Sequence, residues 1–187
     1  MKKLLIVVDY QNDFVDGILG FDGADLIENH IIEMINKFHE NNDDVVYTLD
    51  THFDNYLSTE EGKNLPLKHC IKGTFGHELR PKLKELLKND LGFEKTTFGS
   101  KELLNHLLDK EYSEIVLLGL VSNMCVLSNA IIAKSACPNA HIVVDSLGSA
   151  SFDKDMENKA YDVLNAIHIE VRRWFYEPMA WYPRKKN

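Results

Sequence analysis

Runs of apolar and β-branched residues at 3–8, 45–49, 115–118, 141–145 and 167–171, with a fainter one near 92–97, alternate with segments of helical spacing. Those segments fall at 25–40, 77–88, 100–109, 123–136 and 154–165. End-to-end alternation leaves few architectures open, because parallel strands need crossover helices, and right-handed crossovers cover both faces of a sheet. The pattern predicts a three-layer, doubly wound α/β fold around a mainly parallel six-stranded sheet. A length of 187 residues fits one domain with a substantial core, and no repeat, low-complexity tract or linker divides residues 1–187.

Charge and composition narrow the partners. A net charge of −8 argues against nucleic acid, which selects a basic face, and the one basic run, Arg184-Lys185-Lys186, is a short end. No stretch approaches the roughly 20 apolar residues of a membrane span, and Met1-Lys2-Lys3 runs straight into a strand without a signal-peptide cleavage site. Three cysteines, Cys70, Cys125 and Cys137, are too few for a disulfide scaffold, so a cytoplasmic location is expected. The C-terminal segment 174–187 carries both tryptophans and needs cover, from the chain's own surface or from a neighbouring subunit in a homo-oligomer.

The chemistry gathers at strand ends. The run Ile115-Val116-Leu117-Leu118 breaks at Gly119 and leads through Leu120-Val121-Ser122-Asn123-Met124 to Cys125 in the first turn of a predicted helix. Free N–H groups and the helix dipole there favour thiolate, so a lowered thiol pKa is expected. Leu4–Val8 ends on Asp9, and Gly92-Phe93-Glu94 ends on Lys95. In an open α/β sheet the carboxyl ends of strands form the ligand crevice, which brings Asp9, Lys95 and Cys125 into one expected site. Taken singly, Asp9 also fits a turn cap, Lys95 a surface lysine and Cys125 a small core residue. Together they divide the labour of amide hydrolysis. Cys125 attacks, a burial-raised Asp9 shuttles the proton, Lys95 supports the charges, and backbone N–H groups of Val121 and Cys125 meet the oxyanion.

At these positions the chain resembles the isochorismatase-like cysteine hydrolases and, within them, the nicotinamidases. Asp9-Tyr10-Gln11-Asn12-Asp13-Phe14 is similar to the superfamily's N-terminal motif, Lys95 to its lysine, and Gly119-Leu120-Val121-Ser122-Asn123-Met124-Cys125-Val126 to its nucleophile motif. The resemblance implies an Asp-Lys-Cys triad, a cis peptide between Leu120 and Val121, and Phe14 lining the substrate pocket, for which core packing is the other reading. Many relatives carry Thr-Asp where this chain has Ser122-Asn123, a change expected to keep a capping oxygen and remove a negative charge.

Residues 50–75 form a long polar loop with neither period, and loops of that length in compact domains are usually functional or disordered. Asp50 and His52, two apart on an extended segment, share a face, and His69 follows. Mixed oxygen and imidazole donors suit Zn²⁺, Mn²⁺ or Fe²⁺. The nicotinamidase resemblance implies a divalent metal, Zn²⁺ first among them, held by Asp50, His52, His69 and a variable fourth residue. Spacing favours Glu61 for that place over Glu60 and Asp54. The implied metal anchors the substrate's pyridine nitrogen and holds its carboxamide over Cys125.

The expectation is a metal-dependent amidase converting nicotinamide or a close heteroaromatic carboxamide to the acid and ammonia, a step of NAD salvage. The alternatives are a hydrolase of carbamoyl, ureido or other small amides on the same fold, isochorismatase proper, which needs no thiol, and a non-catalytic binding protein.

Overall fold

Every residue of β1 (Lys3–Val8) from Leu4 onward is buried, as a strand must be when helices cover both of its faces. Its side chains alternate between two cores. Leu4, Ile6 and Val8 join Ile115, Leu117 and Ile142 on one face, while Leu5 and Val7 join Val116, Leu118 and Val143 on the other. The computed structural model describes residues 1–173; the aromatic segment 174–187, and with it the question of what covers that segment, lies outside the described residues.

Five further strands complete the sheet: β2 (Asp44–Asp50), β3 (Leu91–Lys95), β4 (Glu114–Leu120), β5 (His141–Ala150) and β6 (Glu170–Arg172). Their order is β3-β2-β1-β4-β5-β6, and every pairing in it is parallel. The first face is covered by α5 (Lys101–Leu108), α6 (Leu127–Ala136) and α7 (Lys154–Ala166), the second by the short α1 (Asn12–Val15), α2 (Glu28–Glu40) and α4 (Pro81–Leu86). In α2, Ile31, Met34, Ile35 and Phe38 recur at one helical face and supply its buried stripe. The three-layer doubly wound architecture is therefore present, and its sheet is wholly parallel among the described residues.

Winding runs outward from β1 to β3, then returns to β4 and runs the other way. The crevice outside the carboxyl ends of β1 and β4 lies at that reversal, the place where open α/β sheets hold ligands. Gly119 makes the close approach possible. Its φ is +123°, and a Cβ there would stand 2.0 Å from the Val8 carbonyl oxygen.

Several boundaries differ from the sequence reading. The helical spacing at 77–88 yields only α4, because Pro81 drives Arg80 to extended backbone (φ −51°, ψ 140°), and a separate 3₁₀ turn spans Phe75–His77. β5 runs on to Ala150 through a register shift against β4 between Leu117 and Gly119. β6 starts at Glu170, since α7 occupies Ala166 and His168 turns with a φ of +64°. The 50–75 loop carries a 3₁₀ turn at Tyr56–Ser58 and a short helix, α3 (Glu60–Asn64), whose Gly62 N–H donates to the capping Thr59 hydroxyl at 3.0 Å. Among the described residues no helix is long and apolar enough to cross a membrane.

Candidate active site

Asp9 leaves β1 with a φ of +46°, in the left-handed region that aspartate tolerates better than most residues, and its side chain is fully buried. The Thr48 hydroxyl on neighbouring β2 donates to Asp9 Oδ1 at 2.7 Å. Asp9 Oδ2 stands 2.7 Å from Lys95 Nζ, a buried ion pair. Lys95, at the end of β3, also places Nζ 3.5 Å from Cys125 Sγ. The structure thus brings Asp9, Lys95 and Cys125 together from three strand ends.

Burial governs the electrostatics. It raises the Asp9 carboxyl above its ordinary value of 3.8, with the Lys95 ammonium opposing and the Asp50 charge adding. For Lys95 burial works against the ammonium, yet Asp9, Cys125 and Asp50 around it lift its pKa well above 10.5. The helix-start expectation for the thiol is corrected. Cys125 sits in a π-helical turn, Ser122–Val126, ahead of α6, with 6% of its surface exposed. Burial pushes the thiol up in spite of the Lys95 ammonium, with the Asp9 and Asp50 charges adding to the rise.

The nucleophile turn is held from outside. The Leu120–Val121 peptide is cis, and Val121 and Cys125 bracket the turn whose N–H groups the sequence assigned to the oxyanion. Ser122 does not cap it. Its hydroxyl instead donates to Glu157 Oε1 on α7 at 2.8 Å, while Asn123 Oδ1 accepts from the Ser151 hydroxyl at 2.7 Å.

The long loop closes onto the same crevice. His52 pairs with Ile71 in an isolated parallel bridge, and the His52 N–H donates to the Cys70 carbonyl at 2.9 Å, which sets His69 beside His52. Asp50 Oδ2 lies 3.1 Å from His52 Nε2 and 3.3 Å from His69 Nε2, and Glu61 Oε1 lies 3.4 and 3.8 Å from the same two nitrogens. All four donor atoms fall within 4.8 Å of one another. Glu60 and Asp54 lie outside that group. Ligands about 2.0–2.1 Å from a tetrahedral ion stand about 3.3 Å apart, a spacing the group approaches. A carbonyl only accepts, so His69 Nδ1 donates to the Leu67 oxygen at 2.8 Å, which fixes the ring with Nε2 turned toward the two carboxylates.

Glu61 Oε2 is buried without a donor. Burial opposes charge on His52, but hydrogen bonds to Asp50 and Glu61 hold its pKa up to about 9. The four residues fit a divalent cation. Asp50 also turns Oδ1 toward Lys95 Nζ, at 3.3 Å, and so joins the cation group to the triad.

Above this floor is a cavity of about 250 Å³ with walls that include Phe14, Phe21, Phe98, Met124 and Phe152. Phe14 both faces the cavity and meets the His69 ring edge-on, with centroids 5.9 Å apart.

Comparison with known proteins decides the family. The isochorismatase domain model matches residues 3–174. The chain belongs to the isochorismatase domain family. It is 35% identical over 168 residues, 83% of this chain and 90% of the relative, to a protein of Bacillus subtilis (strain 168) described as the uncharacterized isochorismatase family protein PncA. It is 26% identical to the nicotinamidase of Acinetobacter baylyi, over 86% of this chain and 87% of that one. The crystal structure of nicotinamidase PncA from Bacillus subtilis superposes with a TM-score of 0.81 at 31% identity, covering 92% of this chain and 100% of that one.

Within this family member several supporting residues escape sequence reasoning. Gln11 is fully buried and clamps Asp50 from both sides: Nε2 donates to the Asp50 carbonyl at 2.9 Å, and Oε1 accepts the Asp50 N–H at 2.8 Å. Tyr56 packs on both imidazoles, with centroids 4.5 Å from His52 and 5.1 Å from His69. His77 shares a hydrogen bond with the Thr51 hydroxyl at 2.9 Å, steadying the residue between the two loop ligands. Only the adjacency of Gln11 to Asp9 within the N-terminal motif offered a sequence signal.

Proposed function

We propose that this isochorismatase-family chain is a metal-dependent amidohydrolase that converts nicotinamide, or a close heteroaromatic carboxamide, to the acid and ammonia. The observation that carries the reading is the meeting of Asp9, Lys95 and Cys125 beside a four-donor cation group under an aromatic-walled cavity. A volume of about 250 Å³ suits a single-ring ligand better than a drug-sized one. The nicotinamidase names of the Acinetobacter and Bacillus relatives support the same substrate class.

The Cys125 thiol passes its proton to Asp9 as Sγ bonds to the carboxamide carbon, and the oxyanion that forms is met by the N–H groups of Val121 and Cys125. Asp9 returns that proton to the leaving nitrogen. The C–N bond breaks, ammonia departs, and a thioester to Cys125 remains. Asp9 then takes a proton from water as its oxygen attacks the thioester carbon. The acid leaves, and the sulfur recovers the proton. Lys95 holds the carboxylate and sulfur in place through both halves and stabilises their negative charge. Asp50, His52, Glu61 and His69 would hold a divalent ion, zinc being the first choice for this oxygen and imidazole set, and when bound it would supply Lewis-acid anchoring of the ring.

Ammonia release tests the reading. Wild type is expected to release ammonia from nicotinamide, with loss on chelation and in Cys125→Ala. Release from N-carbamoyl or ureido compounds but not from nicotinamide would transfer the function to the other amide class.

A further inference from the structure

Asn129 lies on α6 four residues beyond Cys125, is fully buried, and uses its side-chain amide on three backbone groups. Nδ2 donates to the Cys125 carbonyl at 2.8 Å and to the Phe98 carbonyl at 3.0 Å, while Oδ1 accepts the Ser100 N–H at 3.0 Å. Carbonyls only accept and a backbone N–H only donates, so the network fixes which end of the amide is which. A buried amide is favourable over an apolar side chain only when its partners are in place.

Those partners share one purpose. Phe98 faces the cavity yet is 46% exposed, so its ring has little packing of its own to hold it. Its backbone is instead strapped to α6 on both sides, through its own carbonyl and through Ser100, whose hydroxyl caps α5 at the Leu103 N–H. Between them Gly99 lies against α6, where a Cβ would come 2.7 Å from Ile132 Cδ1. The strapped segment begins just beyond Lys95.

We propose that Asn129 is a positioning residue for ring specificity. It fixes the Phe98 wall at a set distance from the nucleophile by bonding both to one helix, so that a planar aromatic ring is held with its carboxamide at Sγ. The inference rests on the aromatic-amide reading above and deepens it.

Nicotinate titrated into zinc-loaded protein by calorimetry reads the wall without turnover. Asn129→Ser leaves an uncharged group too short to reach Phe98 and is expected to weaken nicotinate binding about tenfold, the scale of one or two lost hydrogen bonds. Phe98→Ala is expected to weaken it at least as much, and the double variant no more than Phe98→Ala alone, because the strap acts through that ring. A general loosening of the nucleophile turn would instead make the two effects multiply, and that result, or wild-type affinity in Asn129→Ser, overturns the inference. Should the serine variant fail to fold, Asn129→Ala removes the amide and both its donors without burying a new polar group, and is expected to show the same coupling. Failure of wild type to bind any aromatic acid would overturn the substrate reading itself and this inference with it, an outcome distinct from binding that ignores Asn129.

Discussion

Asp9 carries the heaviest demand of any single side chain, since it must be a carboxylate to take the thiol proton and an acid to release ammonia. Full burial raises its pKa while Lys95 opposes the rise, which narrows the gap between the two forms. The sign follows directly. Below the raised pKa the acid form dominates and the Cys125 proton has no acceptor, so kcat/KM is expected to climb with pH along a limb centred above 3.8. A pH profile whose acid limb sits at or below that value would contradict the role. Asp9→Asn removes the acceptor with little change of shape and is expected to cost about 10²–10⁴ in kcat/KM. At the same scale, the lowered thiol pKa suggested by the helix start did not materialise, because the charge around Cys125 is set by burial and by two carboxylates distant in sequence.

At the scale of elements, the strand ends and the four donors of the loop were legible, and the loop's short helical turns were not. Continuous runs such as Leu4–Val8 and Ile115–Leu118 announce strands covered on both faces, and the residues that follow each run fall at the crevice by topology alone. Helix α3 is five residues long, too short for a periodic signal, and Thr59 as its cap has meaning only once Glu61 is seen facing His52. Gln11 and Asn129 look like ordinary polar residues in sequence because Asp50 and Phe98, the residues they hold, lie 39 and 31 positions away. The loop also carries a pH-dependent prediction. With a pKa of about 9 in the metal-free protein against an ordinary 6.5, His52 is protonated across neutral pH and contributes stability fully below 6.5 that is lost as pH rises through about 9. A metal must displace that proton, so apparent zinc affinity, read by competition with a chromophoric chelator, is expected to rise steadily from pH 6.5 to 9. Affinity flat over that interval would remove His52 from the cation group.

At the scale of the whole molecule, the reversal of strand order between β1 and β4 sets Asp9 and Cys125 on either side of one crevice, and β3 brings Lys95 in from the sheet's edge. Two cores share β1 and β4, so the site rests on the part of the sheet buried most completely on both faces. Rigid support of this kind suits a mechanism that requires three side chains from distant segments to stay in register through two successive attacks. Its central claim is that the substrate's acyl group passes through Cys125. Mass spectrometry of protein acid-quenched during turnover of nicotinamide tests this directly: the peptide containing Cys125 is expected to carry a pyridine-3-carbonyl adduct that disappears once substrate is exhausted. Sustained ammonia release by Cys125→Ala, which can form no thioester, would contradict it.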